Sequence, residues 1–218
     1  MGFTLKNKRF TKVTLNEYTK NSIYLDPEKA QDYFNYIQRN PTNLIEQKTV
    51  KSLFPKLENK TCLEIGCAGA IYGREMLNKR ALQVDSIDYS SAMIKLAKKI
   101  TKDTINYHLK DINHEFHLYK TYDFICASFV FHYSRNLSKT LKNIIKLINP
   151  KGILLFSVPN PEKHKKKENL LYLGHQKSPI KFYNHSEKEY LDILTPYGLV
   201  IDFEKKKDFI VVKFMKSE

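Results

Sequence analysis

Three of the seven glycines in this 218-residue chain, Gly66, Gly69 and Gly73, fall close together directly after the apolar run Cys62-Leu63-Glu64-Ile65. Glycine permits positive φ and close approach of backbone to a ligand. In an open α/β sheet, ligands bind beyond the carboxyl ends of the strands, where such a loop would lie. A plain strand-to-helix turn is the simpler alternative, but it needs only one or two glycines. A pyrophosphate site asks for G-x-G-x-x-G and an anion on a helix N-terminus. Counted from Gly66, Ala68 replaces the second glycine and Ile71 the third, and the Glu64 carboxylate would repel an anion. The loop suits a cationic nucleotide-like ligand better than a dinucleotide.

The elements around it alternate. Asp26 and Pro27 start a helix with Tyr33, Phe34 and Ile37 at helical spacing, ending before Pro41. A second helix, from about Asn43 to Phe54, is expected to turn Leu44, Ile45, Val50, Leu53 and Phe54 inward. From Thr61 the pattern becomes strand, helix, strand: Cys62 to Ile65, a helix near Tyr72 to Asn78, then Leu82 to Ile87. Ser90 caps a helix with Met93, Ile94, Ala97 and Ile100 on one face, and Ile105 to Leu109 is a third strand. Tyr122 to Phe131 is a fourth, Leu137 to Ile148 a helix, and Ile153 to Val158 a fifth strand. A capping box at Ser186 to Glu189 opens a last helix, followed by Leu199 to Phe203 and Phe209 to Phe214 around a Lys-rich turn. Parallel neighbours need helical crossovers. The expected fold is α/β, a Rossmann-like doubly wound and mostly parallel seven-stranded sheet with an antiparallel last strand.

Length fits one domain over residues 1–218, with a helical lid section over 1–58 and an α/β core over 59–218 that carries an insertion at 159–185. No apolar run is long enough to span a bilayer and no signal peptide is legible, so a cytoplasmic protein without a membrane partner is expected. Met1-Gly2 lacks the Ser or Thr of a myristoylation motif where Lys6 stands. Cys62, Cys67 and Cys126 read as reduced core thiols, and no metal site is implied. The formal net charge is +14, which invites a nucleic-acid reading. Of the 37 basic residues only Arg9, Arg39, Arg74, Arg80 and Arg135 are arginines, whereas base and bidentate phosphate recognition favours arginine. Nucleic acid is therefore not the favoured partner.

Leu63-Glu64-Ile65-Gly66-Cys67-Ala68-Gly69-Ala70 resembles the first motif, acidic-x-Gly-x-Gly-x-Gly, of the class I S-adenosylmethionine-dependent methyltransferases, in particular the small-molecule group called methyltransferase type 11. Ala68 and Ala70 stand at two of its three glycine positions. Ile87-Asp88-Tyr89-Ser90 resembles the end of the family's second strand, with Asp88 placed 22 residues after Gly66. Lys110-Asp111-Ile112 resembles its adenine site, the run from Tyr122 to Tyr133 its fourth strand and loop, and Asn149-Pro150-Lys151-Gly152 the start of its fifth strand, usually Lys-Pro-Gly-Gly. The stretch from Asp32 to Glu46 is similar to the lid helices of some members.

The resemblance implies S-adenosylmethionine as cofactor and S-adenosylhomocysteine as product. It implies a cofactor site made by Glu64, Gly66, Cys67, Ala68, Asp88, Tyr89, Met93, Asp111, Ile112, Ser128 and Phe129. Asp88 would accept hydrogen bonds from the ribose hydroxyls and Asp111 from the adenine amine. Methyl transfer is then an in-line displacement by a substrate O, N or C, governed by positioning. Where the nucleophile must lose a proton, His132 is the candidate base or orienter, an ordinary strand-end histidine being the alternative. Tyr33, Tyr133, His175 and Tyr183 are the candidates for a small-molecule acceptor site. Methylation of tRNA or protein, and a non-catalytic basic partner- or nucleic-acid-binding protein on the same fold, are the other readings. Oligomeric state is not legible.

Overall fold

A computed structural model describes residues 22–163, 168–173 and 176–218. Helix α1, Pro27–Ile37, begins where the sequence places it: the Asp26 side chain accepts from Glu28 N and Lys29 N, with Pro27 at the first position. Helix α2, Pro41–Ser52, starts earlier than expected because Asn40 caps it and Pro41 occupies its first turn. A proline needs no partner for an N–H there.

The inner face of α2 is also a correction. Leu44 and Ile45 are 46% and 55% exposed, and the buried residues are Glu46 and Val50. Burying Glu46 rotates the helix away from the apolar stripe that periodicity alone selects.

The alternating section follows as β1 (Thr61–Ile65), α3 (Ile71–Asn78), β2 (Gln83–Asp88), α4 (Ser91–Thr101), β3 (Asn106–Leu109), β4 (Tyr122–Ser128), α5 (Leu137–Lys146) and β5 (Ile148–Pro159). Strand β4 ends sooner than expected, and Phe131–Tyr133 form a 3-10 turn instead. The 159–185 region contributes an antiparallel pair, β6 (Glu168–Leu173) and β7 (Gln176–Tyr183), forming a sheet separate from the main one. The chain closes with α6 (Glu187–Leu194), β8 (Gly198–Lys205) and β9 (Phe209–Lys216). Ser186 and Glu189 complete the expected capping box.

The main sheet has the order β3-β2-β1-β4-β5-β9-β8. Strands β1 to β5 pair in parallel, and β9 runs antiparallel to both β5 and β8. The order reverses between β1 and β4, which creates the crevice such folds use for ligands. Side chains alternate across the pleat. Cys62, Phe124 and Cys126 join Phe34, Val50, Met76 and Ala97 on one face, while Leu63, Ile65, Ile125 and Ala127 join Leu141, Ile145, Tyr190 and Leu194 on the other. Both faces are covered, as a parallel sheet requires. The three cysteines are buried free thiols. Among the described residues no helix is long and apolar enough to cross a membrane.

Candidate functional site

The loop between β1 and α3 is held in a left-handed backbone. Gly66 has φ +79 and Gly69 φ +86, and Ala68 and Ala70 follow at φ +31 and +57. A Cβ on Gly66 would lie 2.4 Å from Val130 Cγ2, and one on Gly69 would enter the Phe34 ring at 2.3 Å. Gly66 therefore lets the β4 loop close on β1, and Gly69 lets α1 pack. The two alanines adopt the geometry of the glycines they replace, at roughly 1–2 kcal/mol of strain each.

Glu64 is buried, and its carboxylate accepts from Tyr72 N at 3.0 Å and Ser86 Oγ at 2.8 Å. Burial pushes its pKa up to about 7, with hydrogen bonds from Ser86 and the backbone of Gly73 and Tyr72 pulling the other way. Those two amides belong to the first turn of α3, whose N-terminal residue Ala70 offers no capping side chain. Glu64 supplies the missing cap from β1.

At the carboxyl ends of β1 to β4 lies a cavity of about 1040 Å³ of empty space. Gly66 and Ala68 line it from the first loop, Asp88, Tyr89 and Met93 from the second. Asp111 and Ile112 follow β3, and Ser128 and Phe129 follow β4. Asp88 Oδ2 accepts from Cys67 N at 3.0 Å and Oδ1 from Ser90 N at 2.8 Å. The Ala68 backbone and the Cys67 thiol also hydrogen-bond to this carboxylate. Burial raises its pKa to about 6 against those amide bonds. Asp111 Oδ1 accepts from Asn113 N at 2.9 Å. Its other oxygen is buried, 3.8 Å from His114 Nε2, with no hydrogen bond among the described residues. A buried acceptor of this kind calls for a donor. Asp111, with one buried oxygen lacking a partner among the described residues, and Asp88, on the same cavity with Met93, Ile112 and Tyr89, fit a ligand with a diol and an amino-bearing ring.

Tyrosines close the cavity. Tyr24 enters from a 3-10 turn, Ile23–Leu25, and its ring centroid lies 4.8 Å from Tyr33 and 6.3 Å from both Tyr89 and Tyr133. The hydroxyls of Tyr24 and Tyr133 are 3.0 Å apart. Burial pushes the Tyr133 phenol up to about 12 and also raises those of Tyr24, Tyr33 and Tyr89, so all four remain neutral and present uncharged, electron-rich rings.

Beyond Tyr33, Phe129 and Tyr133, which line both spaces, a second cavity encloses about 810 Å³. His132 lines it, buried against Tyr133 with ring centroids 4.0 Å apart. The wall between the cavities is braced from α2. Glu46, 1% exposed, accepts from Tyr72 Oη at 2.6 Å, from Ser128 Oγ at 2.8 Å and from Ser157 Oγ. Phe129 N in turn donates to Ser157 Oγ at 3.1 Å, which fixes Phe129 at φ +48.

The structure thus gathers Gly66, Ala68, Asp88, Tyr89, Met93, Asp111, Ile112, Ser128, Phe129, Tyr33, Tyr133 and Tyr183 around the first cavity. Glu64 and Cys67 sit behind its wall: Glu64 caps α3, and Cys67 contributes its amide to Asp88. His132 belongs to the second cavity. His175 lies outside the described residues. Sequence reasoning missed Ser22 and Tyr24, which line the first cavity from a segment without periodic signal, and Glu46, whose polarity marked it only as a lid position. A charged residue at i−4 from Val50 on an amphipathic helix was the available sign.

Residues 34–202 match the family described as methyltransferase domain. The chain is 32% identical, over 69% of its length, to a malonyl-[acyl-carrier protein] O-methyltransferase of Priestia megaterium, of which it spans 52%. It is 28% identical, over 68% of its length, to a ubiquinone biosynthesis O-methyltransferase of Coxiella burnetii, of which it spans 66%. The chain therefore covers less than two thirds of either relative. Among solved structures, the N-methyltransferase NodS from Bradyrhizobium japonicum, in complex with S-adenosylhomocysteine, superposes with TM-score 0.66 at 18% identity, covering 90% of this chain and all of that one. At that identity the likeness is one of fold.

Proposed function

The chain belongs to the methyltransferase domain family, and from that premise we propose that it is an S-adenosylmethionine-dependent methyltransferase acting on a hydroxyl, amine or carbon nucleophile of a small molecule. The observation that carries this reading is the pair of carboxylates, Asp88 after β2 and Asp111 after β3, lining one cavity, with a buried oxygen of Asp111 that has no partner among the described residues. Names of relatives add O- and N-methylation as precedents. One domain, working in the cytoplasm, belongs to the same reading.

When bound, S-adenosylmethionine supplies a methyl on a sulfonium sulfur that leaves with the bonding pair as S-adenosylhomocysteine. Asp88 accepts from the ribose diol and Asp111 from the adenine amine, while Met93, Tyr89 and Ile112 pack on the apolar parts. The neutral rings of Tyr24, Tyr33 and Tyr133 give a sulfonium a favourable wall through their π faces. Phe129, held by Ser157, borders both cavities together with Tyr33 and Tyr133, and the methyl group and the nucleophile meet at that border. His132 takes the proton when the nucleophile must lose one. Positioning does the rest.

Calorimetric titration tests this. S-adenosylmethionine and S-adenosylhomocysteine should bind with micromolar affinity, NAD should not, and Asp88→Ala should abolish binding. Binding of neither sulfur compound by the wild-type protein would overturn the reading.

A further inference from the structure

The second cavity has a chemistry of its own. Its deep end is made of rings: His132 meets Phe129 edge-on at 6.3 Å and Phe182 at 5.8 Å, with Tyr133 against its face. Tyr36 stands on the opposite wall, on α1. Neutral donors and acceptors, Asn40, Thr42 and Asn43, lie at the start of α2. Among the described residues lining the cavity the one charged side chain is Asp208, which Lys163 pairs with from outside the lining. A carboxylate or phosphate acceptor would find no lysine or arginine among the described residues of this lining and would leave an anion among aromatic rings, where burial without a partner is costly. A flat ring finds edge-to-face and stacked partners on several sides.

Resting on the methyltransferase reading above, we propose that this cavity is the acceptor site and that it selects an uncharged aromatic ring carrying a hydroxyl or amine, rather than an acyl anion. The hydroxyl oxygen or amine nitrogen borne by the ring faces His132 and bonds to the methyl carbon as the carbon–sulfur bond breaks. The bonding pair stays on sulfur, and the displaced proton goes to the His132 imidazole. Polar ring substituents reach Asn40 and Asn43.

The test is calorimetric titration of the protein saturated with S-adenosylhomocysteine, using methylcatechol, aminophenol and malonyl-N-acetylcysteamine as probes. Either ring probe should bind at least about tenfold more tightly than the malonyl anion, the scale on which one mismatched polar group in a pocket is read. Phe182→Ala should weaken the ring probes about tenfold by removing one aromatic wall. Tyr36→Arg, at an exposed position of α1, should weaken the rings and strengthen the malonyl probe. Both variants should hold S-adenosylhomocysteine as tightly as wild type, since neither residue lines the first cavity. Tighter binding of the malonyl probe, or ring binding unmoved in both variants, would overturn the proposal while leaving the cofactor site standing. Absence of S-adenosylhomocysteine binding in the wild type would instead remove the reading beneath it.

Discussion

Glu46 Oε1 accepts a hydrogen bond from Ser128 Oγ at 2.8 Å across 82 residues of chain, joining helix α2 to the wall of the first cavity. Ser157 and Tyr72 direct their hydroxyls at the same carboxyl group. Burial raises the Glu46 pKa, with the three hydroxyls opposing. Glu46→Ala would strand those hydroxyls, each unsatisfied buried group costing about 1–3 kcal/mol. Unfolding by guanidinium should show a loss of about 3 kcal/mol in total. Glu46→Gln should fall between, and S-adenosylhomocysteine affinity should drop in the order wild type, Gln, Ala. An Ala variant within about 0.5 kcal/mol of wild type, the range of ordinary surface changes, would show that the brace carries no weight.

The carboxylates behind the cavity set two opposite pH trends. Glu64, at about 7, is raised above its unfolded value by burial. The folded state therefore holds its proton more tightly. Its contribution to stability is complete below about pH 4.5 and is lost as pH rises through 7. Relative to Glu64→Gln, the wild-type protein should lose stability between about pH 5 and pH 8. Asp88, at about 6, must be ionised to accept from a diol, so S-adenosylhomocysteine should bind about tenfold more weakly at pH 5 than at pH 7. Asp88→Asn should bind weakly and without that slope. A flat wild-type profile would mean that Asp88 is already ionised at pH 5 or does not touch the ligand.

Much of this was legible because periodicity and caps are local. Asp26, Ser90 and Ser186 accept from the first-turn amides that the sequence assigns to them, and the alternation of strands with helices carries the sheet order. Where the reading failed, distant partners decided. Nothing within α2 says that Glu46 will be buried and Leu44 left in water; the three hydroxyls that make burial tolerable come from α3, β4 and β5. Glu64 was legible as an acid of the loop, but its partners Tyr72 and Ser86 turn it toward the helix start. The β6–β7 pair lies in the 159–185 insertion, which matches no fixed motif of the related proteins.

Three positions where the related motifs carry glycine hold other residues here, Ala68, Ala70 and Lys151, and all three have left-handed φ, +31, +57 and +58. The backbone is retained and the side chain bears the strain. Returning the exposed Lys151 to glycine should relieve about 1–2 kcal/mol of strain against about 0.5–1 kcal/mol of added unfolded-state entropy. A rise in melting temperature of a few degrees is expected for Lys151→Gly. Ala68→Gly and Ala70→Gly should be neutral to mildly stabilising and should not weaken S-adenosylhomocysteine. Gly66→Ala, which drives a methyl into Val130, should lose both stability and binding. Destabilisation by the Lys151 change would show that its side-chain contacts outweigh the backbone cost.

His132 separates chemistry from binding because it lines the second cavity and not the first. If it takes the nucleophile's proton, His132→Gln should lower kcat about 100- to 10,000-fold, the range of a lost general base. S-adenosylhomocysteine affinity should stay within about twofold of wild type, because the variant removes a proton acceptor and leaves ground-state cofactor contacts alone. A variant that keeps its kcat and raises only the acceptor KM would reassign His132 from proton acceptor to a wall of the acceptor site, with Tyr133, whose phenol stays protonated to about 12, unable to replace it as a base at neutral pH.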